Sequence, residues 1–380
     1  MLDRRSLLAR GALMSGALFA PHLAFAALPG EKRLVFIIQR GAADGLATLS
    51  PTGDPAYAGL RRELADIDGG TKLDGMFTLH PALQRVAQSY RSNEALFVHA
   101  AASPYRDRSH FDGQNVLETG GREPYDRGDG WMNRLISMLP GGPAKALALS
   151  PAIPTALRGP ATVSSYAPSS LPEASGELLR RVERLYAGDA QLHALWTEAV
   201  QTRQSVGEGG DGGRGAAAMG TLAASLLTGA EGARLTMIET TGWDTHANQR
   251  GRLGNQLTGL DAMLGALKEG LGPIWADTLV IIATEFGRTA AVNGTGGTDH
   301  GTGGLAVLIG GTVKGGRIVA DWPGLANAQL YEGRDLKPTT ALDAVMAGAV
   351  AGHFGLDPAI AASRLFPGGT GRPLVDLIRA

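Results

Sequence analysis

The stretch Thr278–Gly304, TLVIIATEFGRTAAVNGTGGTDHGTGG, decides the reading of this chain. It opens on an apolar run, Leu279 to Ala283, with β-branched residues at its centre. That is the pattern of a strand buried on both faces of a sheet. The run stops at Glu285, and Arg288 follows. A glycine-rich loop then carries Asp299 and His300 between the pairs Gly296–Gly297 and Gly303–Gly304. Glycine pairs allow backbone to approach a bound group closely. A second apolar run, Leu305 to Ile309, begins at once. Strand, polar loop, strand places chemistry at the end of the first strand, where open α/β sheets hold their ligands.

Working outward, the helix pattern Leu253–Glu269 leads into this strand and is itself preceded by the strand pattern Ala233–Glu239. Strand–helix–strand in that order predicts a parallel βαβ unit. Arg33–Gln39 is another nearly continuous apolar run, and Leu96–His99 is a shorter one. Helices are predicted at Ala82–Tyr90, 110–118, Trp131–Leu139, Glu173–Val200, Ala216–Leu227, Thr339–Phe354 and Leu356–Ala362. Gly207–Gly215 (GEGGDGGRG) is the clearest flexible break. The fold class expected is α/β, a three-layer α/β/α sandwich with a mostly parallel central sheet. One domain spans 27–380, with a partly helical insertion at about 120–210.

Composition narrows the function classes. The 380-residue chain is 44% hydrophobic, enough for a substantial core. A net charge of −1 gives no reason to expect a nucleic-acid partner. The absence of cysteine excludes disulfides, thiol catalysis and cysteine–metal sites. Any metal must be held by His, Asp, Glu or hydroxyl groups.

Residues 1–26 read as an export signal. Asp3-Arg4-Arg5-Ser6-Leu7-Leu8 is a twin-arginine start, Gly11–Ala20 is moderately apolar, and Ala24-Phe25-Ala26 fits small-x-small cleavage. The apolar segment is too short for an ordinary bilayer span, and no stable membrane span is expected elsewhere. The expected location is the periplasm, with the twin-arginine export machinery as a partner.

Polar clusters recur after the apolar runs: Asp44, Ser109-His110, Asp244-x-His246, Glu285 and Asp299-His300. Each alone has a plain structural reading. Asp44 suits a helix N-cap, Ser109 caps a helix from 110, and Asp244-Thr245-His246 suits a turn with an exposed histidine. Their shared placement at strand ends is the stronger signal, because in a parallel sheet those ends meet on one edge. Carboxylates gathered there would repel one another without a cation. Oxygen and imidazole ligands suit a divalent metal such as Zn²⁺, Mn²⁺ or Ca²⁺. Asp44, His110, Asp244, His246, Glu285, Asp299 and His300 form the candidate ligand set. Ser109 at a helix start is the candidate nucleophile. Arg106, Arg108 and Arg288 are candidates to hold the oxygens of a small anionic ester, although Arg106 and Arg108 could equally pair with Asp107 and Asp112. His353, in a late helix, reads as structural or exposed.

The twin-arginine start with Arg40–Asp44, Arg108–Asp112, Gly242–His246, Glu285–Thr289 and Thr298–Gly301 resembles one exported bacterial family of unknown function, number 1501. That family is grouped with the alkaline phosphatase and sulfatase superfamily. The resemblance implies an alkaline-phosphatase-like fold and a periplasmic metal-dependent hydrolase of phosphate or sulfate esters. A non-catalytic relative that binds a ligand or partner on the same fold is the alternative. By resemblance, Asp44 matches the metal-ligating acid after the first strand, Ser109 the nucleophile, Asp244 and His246 an Asp/His ligand pair, and His300 the late histidine ligand. Glu285 stands where the phosphatases carry Asp followed by His, and here the next residue is Phe286.

Overall fold

A computed structural model describes residues 32–139, 145–167, 176–189, 192–193, 196–197, 215–228 and 232–379. The export signal, residues 207–214 and parts of the predicted helix Glu173–Val200 lie outside the described residues. Twelve strands are described: β1 (Arg33–Gln39), β2 (Leu49–Ser50), β3 (Thr71–Lys72), β4 (Thr78–Leu79), β5 (Ala95–Ala102), β6 (Ala146–Leu149), β7 (Ser164–Ser165), β8 (Leu235–Thr240), β9 (Thr278–Ala283), β10 (Gly304–Ile309), β11 (Arg317–Val319) and β12 (Thr340–Ala341). Nine form the central sheet, in the order β11-β5-β10-β9-β1-β8-β6-β7, with β12 also on β5. The short β2, β4 and β3 form a separate sheet.

The sheet is parallel except for β10, which runs against both β5 and β9. The chain leaves β1 for β5 on one side and later reaches β6 on the other, so strand order reverses around β1. Such a switch point opens a crevice at the carboxyl ends of the strands. The segment 284–303 joins two antiparallel neighbours, β9 and β10, across that same edge.

Alternation along the strands explains the layers. In β1, Leu34, Phe36 and Ile38 join one core while Val35 and Ile37 join the other. In β9, Leu279, Ile281 and Ala283 face the first core, and Val280 and Ile282 the second. Successive side chains point to opposite faces of a strand, so a sheet apolar on both faces must be covered twice. Helices Trp131–Ile136, Leu342–Phe354 and Pro358–Leu365 cover the first face, and Gln84–Arg91, Ala216–Leu227 and Gln249–Leu271 the second. The result is the three-layer α/β/α sandwich read from the sequence.

The segment expected as an insertion at about 120–210 supplies β6 and β7 to one end of the central sheet, besides its helices. Among the described residues, no helix is long and apolar enough to cross a membrane. His353 is structural: it is fully buried, its Nδ1 lies 3.1 Å from Thr312 Oγ1, and burial pushes its imidazole down to about 3.

Candidate metal centre

Five adjacent strands, β8, β1, β9, β10 and β5, bring the polar loops together. Asp244 and His246 follow β8, Gly41 follows β1, and Glu285 and Arg288 follow β9. His300 precedes β10, and His110 opens the helix His110–Thr119 after β5. Two glycines make the approach possible. Gly41 has φ +116°, and a Cβ there would lie 2.7 Å from Asp244 N. A Cβ on Gly297 would lie 2.3 Å from the carbonyl of His246. Side chains at either position would push these polar loops apart.

Three imidazoles converge with the Asp244 carboxylate. His110 Nδ1 lies 2.8 Å from Glu285 Oε1, His246 Nδ1 lies 3.0 Å from Asp299 Oδ1, and His300 Nδ1 lies 2.9 Å from the Arg108 carbonyl oxygen. Each of these partners is an acceptor when the carboxylates are ionised, so each Nδ1 carries the proton, and each neutral ring then presents a lone pair at Nε2. The three Nε2 atoms point inward. His246 Nε2 is 3.0 Å from His300 Nε2 and 3.0 Å from Asp244 Oδ1. His300 Nε2 is 3.3 Å from Asp244 Oδ1, and His110 Nε2 is 3.6 Å from Asp244 Oδ2. His110 Nε2 is buried and has no hydrogen-bond partner.

Lone pairs facing one another at 3.0 Å repel unless a cation sits among them, a proton or a metal ion. Donors on a tetrahedron with spokes of about 2.0–2.1 Å are about 3.3 Å apart, close to the separations seen. His110, Asp244 and His300 offer ligand atoms all within 4.8 Å of one another and could hold a metal ion. His246 reaches Asp244 and His300 from the more open side; its side chain is 43% exposed against 22% for His110.

Glu285 is not one of the inward-facing groups. It is fully buried, and Oε1 accepts bonds from His110 Nδ1, from Gly41 N at 2.8 Å and from Gln114 Nε2 at 3.0 Å. Burial works to raise its carboxyl, but the bonds from His110 and Gln114 outweigh it and hold the group below the ordinary range. The same bond raises the His110 imidazole above its usual value, against burial. Glu285 thus orients His110, as carboxylates behind metal-bound histidines do. Asp299 does the same for His246, and Asn293 holds Asp299 in turn, Nδ2 to Oδ1 at 3.1 Å. These contacts correct the expectation that Glu285 and Asp299 ligate directly. Burial and the nearby His110 lower the His300 imidazole. For Asp244, burial works upward, but the bond from Arg288 prevails and lowers the carboxyl.

Two further expectations are corrected. Asp44 lies at the N-cap of the short helix Gly45–Thr48, where Oδ1 accepts the Ala47 N–H at 3.1 Å. Both oxygens also meet the buried guanidinium of Arg61, and Oδ2 accepts Gln249 Nε2 at 2.6 Å. Its charge is already matched by a cation of the chain, which leaves no vacancy for a metal. Burial works to raise this carboxyl and Arg61 more than reverses it. Arg288 is buried rather than facing substrate. Its Nε donates to Ala42 O at 2.8 Å, Nη1 to Thr298 O at 3.0 Å, and Nη2 to Gly41 O, Trp243 O and Asp244 Oδ1. It ties three loops together, those after β1 and β8 and its own 284–303 segment, and leans on the one carboxylate of the cluster.

Ser109 is the N-cap residue of His110–Thr119 and makes no capping bond with its side chain; its neighbour is the Tyr105 phenol. Arg106 is spent on the carbonyls of Ser103 and Tyr105. Arg108 pairs with Asp335 and Glu332, not with Asp107 or Asp112.

Sequence reasoning missed Gln114, Gln249, Asn293, Arg334 and Asp335. Gln114 alone carries a retrievable signal, because it sits one helical turn after His110 on the same face. Gln249 braces the site from beneath. Its Oε1 accepts Thr245 Oγ1 at 3.0 Å and Thr298 Oγ1 at 2.6 Å, while its Nε2 donates to Asp44. One buried amide therefore links the loop bearing Asp244 and His246 to the loop bearing Asp299 and His300.

No curated protein matches the chain. Solved structures similar to it include the alkaline phosphatase of the Antarctic bacterium TAB5, at 12% identity and TM-score 0.37, covering 76% of this chain and 94% of that one. Another is the C-terminal periplasmic domain of EcEptC from Escherichia coli, solved in complex with Zn, at 7% identity and TM-score 0.35, covering 74% of each chain. A third is the phosphonate monoester hydrolase of Agrobacterium radiobacter, at 11% identity and TM-score 0.32, covering 76% of this chain and 70% of that one. The family model described as "Protein of unknown function (DUF1501)" matches residues 96–362, and the chain belongs to that family.

Proposed function

We propose that this protein is a metal-dependent hydrolase of phosphate or sulfate esters that works in the periplasm after twin-arginine export. The observation that carries the reading is the convergence of three tautomer-fixed Nε2 lone pairs on the Asp244 carboxylate. Nitrogen and oxygen donors of this kind suit Zn²⁺ or Mn²⁺ better than Ca²⁺, which favours six to eight oxygens. Bound there, the metal supplies Lewis acidity at a developing oxyanion and lowers the pKa of an attacking hydroxyl or water.

The chain's own residues supply the rest. Glu285, Asp299 and the Arg108 carbonyl fix the imidazoles before substrate arrives, so no reorganisation is needed during reaction. Ser109, next to His110 and without a capping bond, is the candidate attacking hydroxyl. Arg288 offsets part of the negative charge of Asp244 from below. The N-terminal segment carries the export assignment.

The test is metal analysis of the mature protein followed by a panel of aryl and alkyl phosphate and sulfate esters, with and without chelator. Stoichiometric metal and chelator-sensitive turnover, lost in His110→Ala and Ser109→Ala, is the expected result. A protein that binds no divalent metal at neutral pH overturns the reading. A second reading, a non-catalytic relative that binds a ligand on the same edge, is favoured by one observation: Arg288 already gives Asp244 a cation. Metal binding without turnover of any ester would select it.

A further inference from the structure

Two arginines bond to His300. The Arg108 carbonyl accepts from His300 Nδ1, and Arg334 Nη2 donates to the His300 carbonyl at 2.6 Å. Between the two guanidinium groups lies Asp335, fully buried. Its Oδ2 accepts from Arg108 Nε at 3.0 Å and Nη2 at 2.8 Å, and its Oδ1 accepts from Arg334 Nε at 2.9 Å. Asp335 is itself held by backbone, through paired bonds with Tyr331 and a bridge to Thr289. Arg108 has φ +61°, a left-handed conformation that side chains other than glycine rarely adopt.

We propose that Arg108 and Arg334, set by Asp335, form an oxyanion-binding subsite beside the imidazole cluster, recognising the non-bridging oxygens of a tetrahedral phosphate or sulfate group. The assignment of this group to a substrate rests on the hydrolase reading; the binding itself does not. Three features point to an anion. One buried carboxylate is shared by two guanidinium groups, and the only other carboxylate bonded to the pair among the described residues, Glu332, is exposed and bonds Arg108 alone, so it can be exchanged for another anion. Neither Arg108 Nη1 nor Arg334 Nη1 has a hydrogen-bond partner among the described residues, so each fork keeps an amino group to donate. Finally, Arg334 is 45% exposed and Arg108 22%, while Asp335 behind them is inaccessible. That is the arrangement of a pre-oriented fork, and planar guanidinium forks match tetrahedral oxyanions.

Glu332 is the internal competitor. Its carboxylate, 55% exposed, lies 2.5 Å from Arg108 Nη2. An arriving oxyanion displaces it, because Glu332 has little burial to hold it in place. The plain alternative is that Arg108, Arg334, Asp335 and Glu332 only tie the 331–335 turn to the 106–109 loop.

The experiment is calorimetric titration of the mature protein with inorganic phosphate and, separately, sulfate, with metal content measured in every sample. Arg334→Ala is expected to weaken binding of phosphate at least tenfold with metal content unchanged. Arg334→Lys, which keeps the charge and loses the fork, is expected to recover only part of it. Glu332→Gln is expected to tighten binding a few-fold, which a merely structural tie would not do. Arg250→Ala, which removes an exposed arginine paired with Asp66, serves as the charge control and is expected to bind as wild type. Binding within twofold of wild type in both Arg334→Ala and Glu332→Gln overturns the proposal, as does a wild-type protein that binds neither anion. If Arg334→Ala fails to fold, exposed Glu332→Gln decides alone. Arg334-dependent phosphate binding in a protein that hydrolyses no ester leaves the subsite standing and removes the hydrolase.

Discussion

Replacing Glu285 by glutamine isolates the contribution of one buried charge to the metal centre. The substitution keeps shape and bonding. An amide oxygen in the place of Oε1 still accepts from Gly41 N, Gln114 Nε2 and His110 Nδ1. The amide nitrogen then faces Thr284 Oγ1, now 2.9 Å from Oε2. That hydroxyl can accept it while donating to the Gln39 carbonyl at 2.7 Å. The fold therefore survives, and what changes is the bond behind His110. A hydrogen bond to a charged group contributes about 1.5–3 kcal/mol and a neutral one about 0.5–1.5. The difference, about 1–2 kcal/mol, corresponds to about a 5–30-fold loss of metal affinity, overlapping the lower part of the roughly 10–100-fold typical for groups behind metal-bound histidines. Competition titration of Zn²⁺ against a chromogenic chelator measures it, with a thermal melt of the metal-free protein as control. The His110 imidazole, followed by NMR in the metal-free protein, should fall toward its ordinary value. A lowered imidazole with metal affinity within twofold of wild type would show that His110 is not a ligand, and the geometric argument would fail at its first step.

Metal affinity should rise with pH. The bond to Glu285 raises His110, so in the metal-free protein its proton stabilises the fold fully below about 6.5 and is lost as pH rises through the raised value. A metal competes with that proton, so calorimetry in buffers of different ionisation enthalpy should detect proton release on binding from about pH 6.5 up to the raised value. Arg288→Met should be among the most damaging changes, at about 3–5 kcal/mol in urea denaturation, since it leaves buried carbonyls and Asp244 without their donor; a loss under 1 kcal/mol would contradict the buried hub. Gln249→Leu should cost about 1–3 kcal/mol of stability by leaving Thr245, Thr298 and Asp44 without their shared partner. It should also weaken metal binding, and an unchanged affinity would show that the ligand loops hold their places without the brace.

The architecture was legible because the central strands are buried on both faces. Such strands read as unbroken apolar runs, and Arg33–Gln39, Leu279–Ala283 and Leu305–Ile309 each reappear as β1, β9 and β10 within a residue or so. Direction was less legible. The run Leu305–Ile309 looks like any buried strand, yet β10 is antiparallel to its neighbours. Nothing in the apolar pattern encodes that; the make-up of the connection does. Segment 284–303 returns directly from β9 to its neighbour β10, with no helix between them to carry a parallel crossover. The contribution of 146–149 and 164–165 to the sheet was faint for a related reason, since strands of four and two residues carry too little periodicity to separate from loop.

The site shows where residue spacing stops being informative. Asp44 and Asp244 read alike in the sequence, each a carboxylate a few residues past an apolar run, and the same electrostatic problem attends both. A carboxylate drawn into a protein needs a cation, and the chain can supply that cation itself or recruit one. For Asp44 it supplies Arg61, seventeen residues on, whose fork meets both oxygens, and no inorganic ion is needed. For Asp244 it supplies one edge of Arg288 and then surrounds the remaining lone pairs with three imidazoles whose own donors are turned away. Arginine satisfies a carboxylate; imidazole lone pairs add to its need. Asp244 therefore differs from the capped aspartate not in what precedes it but in the tautomers of the histidines around it, and those are fixed by Glu285, Asp299 and a backbone carbonyl drawn from other parts of the chain.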